Sequence, residues 1–597
     1  MCGIFGFTNQ ISDKMDFLKK MGELQKHRGP DGEGYYVDEN VALGMKRLSI
    51  IDLEHGGQPF FGRDKSVVVF CNGEIYNYKE LRKELESCGY NFISHSDVEV
   101  IPYLYEKYGA EFVKKLNGMF GIVIYDKKTN SICLFRDRLG IKPLYYTVKD
   151  GNLIFSSELK SILSMDSVKK EIDYNALSTY LQLMYIPRPM TPFKNIYKLD
   201  SGSYMLWENK TSKIVKYWDI SLKKNEITSE KQCEEEIEKL LFDSVKLELN
   251  SDVPVGSLLS GGVDSSIITA LAAKITGKGF STFHMRWKEV DGKTDESSFA
   301  HMVSEQYKTN ETLRDVSQID LIGLLPKLVW HLEEPFGDAA FVPTYLLSKI
   351  ASEKVKVMLS GAGGDELFGG YGHYRGYSSI KSIIKLLIYG KNPAFSNYDM
   401  LRNNFDPLWK KSFKWFVPNT FKSSFEKNYL INRKNDKLNA LMLSDIMYYL
   451  QDNILFLTDK MTMATSLECR VPFLDHRLVE LAQKIPSGFK IKNKESKYIL
   501  KKLSERYLPK EVLYRKKEGF GAPVWLWVNK YKDKYFDKLL NNGYLATNGL
   551  IDKKELNKLT AKKIYEKSES WYYWQVLILE IWFQIFIECK KTDNVFN

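Results

Sequence analysis

The first residue of this chain that could do chemistry is Cys2. If Met1 is removed, Cys2 carries a thiol and a free α-amine within one residue. An α-amine titrates near pH ~8, so at neutral pH it can act as the base that activates a neighbouring thiol nucleophile. A single cysteine is weak evidence, and an arbitrary residue at this position is the alternative interpretation. Motifs elsewhere in the chain must decide between the two.

A second candidate is the glycine-rich string SGGVDSS at residues 260–266, which joins a short apolar stretch to a predicted helix. Its glycines let backbone N–H groups approach a phosphate, and the helix start adds a positive dipole end. Asp264 supplies oxygen ligands of the kind that Mg²⁺ prefers. The Gly-Lys-Ser/Thr ending of a Walker A loop is absent. The string therefore predicts a different pyrophosphate loop, with a plain glycine turn capped by Asp264 or Ser265 as the alternative.

A third string, SGAGGDELFGGY at residues 360–371, follows another short apolar stretch at 355–359. Two strand-end glycine loops that carry Ser and Asp are hard to explain as coincidental turns. They resemble the PP-loop region of ATP pyrophosphatases, enzymes that activate a carboxyl or carbonyl group with ATP and release pyrophosphate.

The pattern of predicted helices and strands changes along the chain and indicates two domains, as the length of 597 residues leads us to expect. Residues 1–207 read as short strands between charged helices, which predicts an α+β domain. Residues 208–230 are polar and lysine-rich and are predicted to be a linker. Residues 231–597 open with a helix–strand–glycine turn–helix pattern, which predicts a parallel α/β domain.

Composition excludes several other classes of protein. The net charge of +11 is spread along the chain, which favours a solvated surface over a nucleic-acid interface. Seven cysteines without CxxC spacing favour a reducing compartment, and the start lacks a signal-peptide pattern, so we expect a cytoplasmic protein. The apolar stretch 571–587 is interrupted by Gln575, Glu580 and Gln584, which predicts a buried helix and no membrane contact.

With these motifs in place, the chain resembles the glutamine-dependent asparagine synthetases over nearly its whole length. The motifs that carry the resemblance are MCGIFG at 1–6, HRGPDG at 27–32, RLSIID at 47–52, NGEIYNY at 72–78, SDVE at 96–99, RDRLGIKPLYY at 136–146, SGAGGDELFGGY at 360–371 and LECRVPFLDHRLVELA at 467–482. The resemblance implies an N-terminal-nucleophile glutaminase sandwich (αββα) followed by an α/β PP-loop domain of the adenine nucleotide α-hydrolase-like type.

The resemblance also implies roles for residues of the first domain. Cys2 would attack the side-chain amide of glutamine and form a thioester, and Asn72 with the Gly73 N–H would form the oxyanion hole. Arg47 and Asp97 would bind the α-carboxylate and α-amine of glutamine, since a guanidinium suits a carboxylate. The other implied residues of the glutamine pocket are Leu48, Ser49, Ile50, Ile51 and Glu74.

In the second domain, the resemblance implies ATP at the ends of the two strands, with Asp264 and Asp365 managing Mg²⁺ and pyrophosphate. Lys517 matches the lysine that the family places near the α-phosphate, and one more surface lysine is the alternative. Ammonia would pass between the domains to an acyl-adenylate, because ammonia released to water becomes protonated. The implied ATP-binding residues are Leu258, Ser260, Gly261, Gly262, Asp264, Ser265, Met285, Ser360, Gly361, Asp365 and Lys517.

Two departures from the family pattern lie near the expected acceptor pocket. Ala362 stands where the resembling enzymes have a glutamate, and residues 284–287 read His-Met-Arg-Trp in place of a small, glycine-containing stretch. Aspartate is the favoured acceptor, and another carboxylate, such as a sugar uronate in surface polysaccharide assembly, is the alternative. The expected partners are small molecules (glutamine, ATP and the acceptor), and a homodimer is compatible with the sequence.

Two rival classes are less consistent with the residues. A PP-loop enzyme that modifies tRNA would lack the glutaminase motifs and would usually carry a reactive cysteine pair near the loop. A non-catalytic relative would be expected to lose Cys2, Asn72 or Asp264, and all three are present. The sequence therefore favours an ATP- and glutamine-dependent amidotransferase.

Overall fold

The computed structural model describes residues 2–8, 13–222, 226–286, 296–377, 408–418, 436–517, 521–561, 563–564 and 567–596. Within these residues, the N-terminal part contains two six-stranded antiparallel sheets and the C-terminal part a five-stranded parallel sheet. The two parts correspond to the α+β and parallel α/β patterns that the sequence predicts.

The first sheet has the strand order β10-β8-β9-β1-β3-β2, and the second has the order β12-β11-β7-β6-β5-β4. The strands are β1 (Gly3–Phe7), β2 (Gly32–Val37), β3 (Ala42–Arg47), β4 (Phe60–Phe61), β5 (Val67–Ile75), β6 (Gly118–Asp126), β7 (Ser131–Arg136), β8 (Tyr145–Lys149), β9 (Asn152–Ser156), β10 (Tyr197–Lys198), β11 (Ser203–Glu208) and β12 (Thr211–Lys216). The helices are α1 (Lys14–Glu23), α2 (Tyr78–Ser87), α3 (Val100–Tyr108), α4 (Leu159–Leu163) and α5 (Tyr174–Leu183), with 3-10 turns at Lys26–Arg28 and Gly109–Lys115.

Alternating side chains build the four layers of this domain. Ile4 and Val68 point into the core between the two sheets, whereas Phe5 packs on the other face of its sheet with Leu18 of α1. Val69 faces outward from the second sheet, in the core that α2 and α3 cover. Because successive strand residues point to opposite faces, one run of apolar residues supplies two cores. This arrangement is the predicted αββα sandwich.

The segment predicted to be a linker, 208–230, contains a strand. β12 (Thr211–Lys216) pairs antiparallel with β11 at the edge of the second sheet, in register Tyr204↔Val215. Its side chains are mostly exposed, so it lacks the apolar alternation by which strands are recognised. The sheet of the first domain therefore extends past residue 207.

The C-terminal part has strands β13 (Val255–Leu258), β14 (Ser281–Arg286), β15 (Asn310–Asp315), β16 (Val357–Leu359) and β17 (Glu468–Arg470). Its helices are α6 (Glu230–Glu248), α7 (Val263–Thr276), α8 (Ser297–Tyr307), α9 (Leu321–Leu332), α10 (Phe341–Ser352), α11 (Gly364–Phe368), α12 (Gly372–Tyr377), α13 (Lys437–Asp445), α14 (Phe456–Met463), α15 (His476–Ala482), α16 (Ser487–Lys490), α17 (Tyr498–Ser504), α18 (Lys510–Tyr514), α19 (Val524–Tyr531), α20 (Asp537–Asn542), α21 (Tyr544–Thr547), α22 (Lys553–Ala561) and α23 (Lys567–Phe586). The described residues of this part also contain two π-helical stretches, Ile446–Leu455 and Lys532–Phe536, and two 3-10 turns, Pro472–Leu474 and Thr592–Asn594.

The strand order of the parallel sheet, β15-β14-β13-β16-β17, places a topological switch point between β13 and β16. The chain runs outward from β13 to β15 and then returns to β16 on the other side. Ligands of open α/β sheets bind at such a point, beyond the carboxyl ends of the strands. Both glycine loops begin there, since one follows β13 and the other follows β16.

The apolar C-terminal segment forms α23, which is buried as predicted. Trp574 and Trp582 are fully buried, and the interrupting Glu580 accepts hydrogen bonds from the backbone N–H groups of Tyr544 and Leu545 at 2.7 and 2.9 Å. Among the described helices, none has the length and apolarity that crossing a membrane requires.

Candidate functional site

Cys2 lies at the start of β1, between the two sheets, and is 6% exposed. Its backbone N–H donates to Asn72 Oδ1 of β5 at 3.0 Å, and its carbonyl accepts from Arg28 Nε at 3.1 Å. Both backbone polar groups of the predicted nucleophile are therefore held by buried side chains. Removal of Met1 would leave the α-amine beside the Asn72 amide.

The two residues predicted to form the oxyanion hole are adjacent on β5. Asn72 Nδ2 donates to Ser157 Oγ at 3.3 Å, and Ser157 Oγ also accepts from the Ile4 N–H at 3.1 Å, so the amide is anchored at both ends. A Cβ atom at Gly73 would overlap the carbonyl oxygen of Met119 on β6. Only glycine lets these strands approach so closely next to Cys2.

The environment of the thiol determines what Cys2 needs for attack. Burial raises the pKa of the Cys2 thiol above its ordinary value, while a hydrogen bond from the Leu48 backbone and the charge of Arg47 act to lower it. The thiol is therefore mostly protonated at neutral pH and requires a base at the moment of attack.

Some of the residues predicted to bind glutamine lie close to Cys2, since the Leu48 backbone and the charges of Arg47 and Glu74 all act on its thiol. Arg47 ends β3 and donates through Nη2 to the Ile51 and Asp52 carbonyls at 3.1 and 2.7 Å, which folds the RLSIID segment around its guanidinium. Asp97 accepts from the Ile75 N–H at 2.8 Å, and burial raises its pKa to about 6. Leu48, Ser49, Ile50 and Ile51 are all buried.

Glu74, the last predicted residue of this pocket, points toward the second domain. Its Oε2 lies 3.3 Å from Nη2 of Arg470, a fully buried residue of β17. Arg470 Nε also donates to Glu468 at 2.6 Å. Burial raises the pKa of Glu74 well above its usual range, and the Arg470 charge opposes this shift. The predicted glutamine pocket is thus connected to the second domain by an ion pair.

The first glycine loop is tightened by its own serines. Ser260 N–H donates to Ser265 Oγ at 3.1 Å, and Gly262 N–H donates to Ser260 Oγ at 3.3 Å. Gly261 has a φ of 71°, a conformation that favours glycine. Arg515, close to Lys517 in sequence, donates to the Gly261 carbonyl at 2.9 Å.

The second loop packs directly on the first. A Cβ at Gly361 would lie 2.7 Å from the backbone N of Ser265, and a Cβ at Gly364 would lie 2.5 Å from Asp264 Oδ1. Glycines at these positions bring the two loops into contact at the switch point. Leu258 and Met285 are half-buried beside the core cluster under β14 and β16.

Lys497 joins the two carboxylates predicted to manage pyrophosphate. Its Nζ pairs with Asp264 Oδ2 and lies 2.6 Å from Asp365 Oδ1, and Lys517 Nζ also contacts Asp365. Although burial alone would raise the pKa of Asp365, these two lysines lower it to about 2. Burial raises the pKa of Asp264, whose Oδ1 has no hydrogen-bond partner among the described residues.

The two departures near the acceptor pocket have different surroundings. Ala362 donates its N–H to Ser360 Oγ at 3.3 Å and presents only a methyl group. His284 is buried on β14 with its Nε2 2.6 Å from Glu311 on β15, so it joins neighbouring strands. Trp287 lies outside the described residues.

Three charged residues were missed by the sequence reasoning. Lys497 lies in a lysine-rich stretch, KNKESKYILKK, that gives no sign of which lysine is buried. Arg28 lies in the motif HRGPDG and Arg470 in LECRVPFLDHRLVELA. Their place in motifs that carry the family resemblance was the one indication of a role. All three are buried, and each forms ion pairs with residues far away in sequence.

Two known sequence families match the chain. The glutamine amidotransferase domain matches residues 1–218, and asparagine synthase matches residues 236–584. The chain belongs to the asparagine synthase family. Asparagine synthetase [glutamine-hydrolyzing] 1 of Bacillus subtilis (strain 168) is 35% identical to it, over 98% of this chain and 97% of that protein.

Two further members of the asparagine synthase family are similar over most of their lengths. Asparagine synthetase [glutamine-hydrolyzing] 3 of Bacillus subtilis (strain 168) is 31% identical, over 94% of this chain and 93% of that protein. Asparagine synthetase B [glutamine-hydrolyzing] of Escherichia coli (strain K12) is 29% identical, over 89% and 84%. The resemblance stated from the motifs and the predicted fold class are confirmed, and the chain is a glutamine-hydrolysing ligase of this family.

Proposed function

We propose that this protein transfers the amide nitrogen of glutamine to a carboxylate that it activates with ATP, and that the favoured acceptor is aspartate. The observation that carries the proposal is the pair of buried centres in one chain. Asn72 holds Cys2 in the first domain, and Lys497 joins Asp264 and Asp365 where two glycine loops meet in the second.

In the first domain, the Cys2 thiolate attacks the side-chain carbonyl carbon of glutamine. The α-amine freed by removal of Met1 takes the thiol proton and passes it to the departing ammonia, which leaves a thioester for water to hydrolyse. Asn72 and the Gly73 N–H stabilise the oxyanion of the tetrahedral intermediate. Arg47 and Asp97 bind the α-carboxylate and α-amine of glutamine.

In the second domain, the glycine loops bind the phosphates of ATP, and the acceptor carboxylate attacks the α-phosphorus to give an acyl-adenylate and pyrophosphate. Lys497 and Lys517 offset the negative charge of this step. The buried, unpartnered Asp264 Oδ1 and the carboxylate of Asp365 fit a Mg²⁺ ion carried by the pyrophosphate. Such an ion would neutralise phosphate charge.

Aspartate is favoured as the acceptor because the named relatives that match nearly the whole chain are asparagine synthetases. Ala362 is the specific observation that keeps another carboxylate, such as a sugar uronate, as the second candidate, since a methyl group cannot orient an amine or accept a proton.

The test supplies purified protein with glutamine, ATP and Mg²⁺, with and without aspartate, and measures asparagine, AMP and pyrophosphate. We expect aspartate-dependent release of pyrophosphate and formation of asparagine in equal amounts. Cys2→Ala should abolish the use of glutamine and retain synthesis from added ammonium. Release of glutamate without any aspartate-dependent pyrophosphate would exclude aspartate as the acceptor.

A further inference from the structure

A small cavity lies between the two domains and is lined by residues of both. Its volume is about 20 Å³, which is enough for one water-sized molecule. Leu139 and Ile141 line it from the first domain, and Val471 and Leu474 line it from the second. A hydrogen bond of 2.9 Å from Asn117 to Asp475 crosses between the domains at its wall.

Elements that carry residues of both candidate centres contribute to the surroundings of the cavity. Tyr76, two residues after Glu74, lines it on the glutaminase side. On the other side, Leu474 packs against Gly363 of the second glycine loop. A molecule the size of ammonia in this cavity is therefore next to elements that carry residues of each centre.

One buried carboxylate in the lining is not used by the proposed mechanism. Glu248, the last residue of α6, is 3% exposed. Its Oε2 has no hydrogen-bond partner among the described residues, while Oε1 accepts only a long hydrogen bond, 3.4 Å, from Ser244 Oγ. An unsatisfied carboxylate is costly to bury, so its presence calls for a cationic or hydrogen-bonding ligand.

We propose that Glu248 binds ammonium in this cavity and takes a proton from it, so that the nitrogen reaches the second centre as neutral ammonia. The ammonium forms when released ammonia takes up the proton that the new side-chain carboxyl group of glutamate loses on ionising. The N–H bond of ammonium breaks and an O–H bond forms on Glu248, which leaves ammonia beside a neutral carboxyl group. The inference rests on the proposed function, because it requires nitrogen to travel between the two centres.

The charges around Glu248 agree with this role. Burial raises the pKa of Glu248 well above its usual range; Glu468 and Asp475 raise it further, and the Arg470 guanidinium opposes them. A carboxylate with a raised pKa is a stronger base than one in water. Asp137 is occupied by backbone N–H groups, including that of Lys142 at 2.9 Å.

Arg138 and His476 also line the cavity and could affect the proton that Glu248 accepts. Arg138 donates to the Lys114 carbonyl at 2.8 Å, so its guanidinium is engaged with the backbone. Burial lowers the pKa of His476 to about 4, which keeps its imidazole uncharged at neutral pH. The side chain of His476 is 21% exposed, so it gives the proton a route from the cavity to solvent. Tyr76 remains protonated, since burial raises its pKa.

The test compares the wild type with Glu248→Gln, which keeps the shape of the side chain and cannot accept the proton. The measured quantity is the amount of amidated product formed per glutamate released. Near neutral pH we expect this ratio to fall at least about fivefold in Glu248→Gln. It should recover toward the wild-type value at about pH 9, where amines begin to lose their protons unaided.

The matched control is Glu235→Gln, an exposed carboxylate on the same helix, which should leave the ratio at the wild-type value. A wild-type ratio in Glu248→Gln near neutral pH would overturn the role of Glu248, as would a lowered ratio that does not recover at higher pH. Failure of the proposed function is distinguishable, because the wild type itself would then form no amidated product from glutamine or from added ammonium.

Discussion

At the scale of single residues, this chain places its chemistry where side chains from distant positions converge. Cys2 is held through its N–H by Asn72 and through its carbonyl by Arg28. Lys497 plays the corresponding part in the second domain, where it lies between Asp264 and Asp365. In both proposed centres, a buried polar side chain contacts the residues to which we assign the chemistry.

Substitution of Lys497 tests this arrangement in the second centre. Lys497→Met leaves Asp264 and Asp365 buried without their shared cation, so we expect synthesis to fall about 100-fold with glutamine or with added ammonium. Release of glutamate should continue, because the lysine lies in the other domain. Rates of product formation and of glutamate release, measured on the same preparation, check the prediction.

Lys494→Met is the matched control, since Lys494 is exposed in the same segment and should tolerate the change. Lys497→Arg restores the charge and should recover part of the rate. Lys517→Met should lower the rate of synthesis less than Lys497→Met, because Lys517 pairs with only one of the two carboxylates among the described residues and is 38% exposed. Synthesis from ammonium at the wild-type rate in Lys497→Met would contradict the assignment.

Residue-level prediction from sequence succeeded where the signal was local. The loop around Asp264 could be recognised because glycines and serines shape the backbone within a few positions. Lys497 could not, because its partners lie 233 residues away at Asp264 and in a third segment at Asp365. Ion pairs of this kind are created by the fold and leave no trace in local spacing.

At the scale of elements, α14 connects the domains by carrying charged residues into the first one. Asp459 accepts two hydrogen bonds from the Arg28 guanidinium, at 2.8 and 3.1 Å, in the bidentate geometry that suits arginine. The next residue, Lys460, pairs with Glu158 at 3.2 Å. Arg28 in turn donates to the Cys2 carbonyl. A helix of the second domain thereby supports Cys2, the proposed nucleophile of the first.

Asp459→Asn tests this support. The substitution keeps the size of the side chain at position 459 but weakens its hydrogen bonds with Arg28. We therefore expect the turnover number for glutamate release to fall about tenfold, which corresponds to roughly 1.4 kcal/mol of activation free energy. The KM for glutamine should change little, because Arg47 and Asp97 remain in place. Steady-state kinetics of the glutaminase reaction make the measurement.

Asp166→Asn removes one partner of the exposed pair with Lys20 and serves as the control, with kinetics expected to match the wild type. An unchanged turnover number in Asp459→Asn would show that Asp459 does not support Cys2 through Arg28. A change confined to the KM for glutamine would show the same. Thermal unfolding of each variant separates a local effect from a general loss of stability.

Elements with a strong apolar pattern were predictable from the sequence. The strands of the sandwich followed from short stretches rich in Val, Ile and aromatic residues, and the buried helix α23 followed from apolar residues at spacings of three and four. β12 was missed, since its exposed, lysine-rich residues lack alternation and its pairing with β11 is set by the sheet. Edge strands of this type are defined by a neighbour and not by their own side chains.

At the scale of the whole molecule, the two domains meet through buried charge and through a small cavity. The pairs Arg28–Asp459 and Arg470–Glu74 each cross between the domains without exposure to solvent. Breaking a buried pair leaves an uncompensated charge, so these contacts oppose separation of the domains. The arrangement suits a protein in which the nitrogen released in one domain reaches the other without escaping to bulk solvent.

An isotope experiment tests whether the nitrogen passes from one domain to the other inside the molecule. Wild-type protein receives glutamine labelled at its side-chain amide nitrogen, together with ATP, the acceptor and excess unlabelled ammonium. Mass spectrometry of the amidated product measures the labelled fraction. We expect the product to carry mostly the label from glutamine. Product with the isotopic composition of the bulk ammonium would show that the nitrogen leaves the protein before it is used.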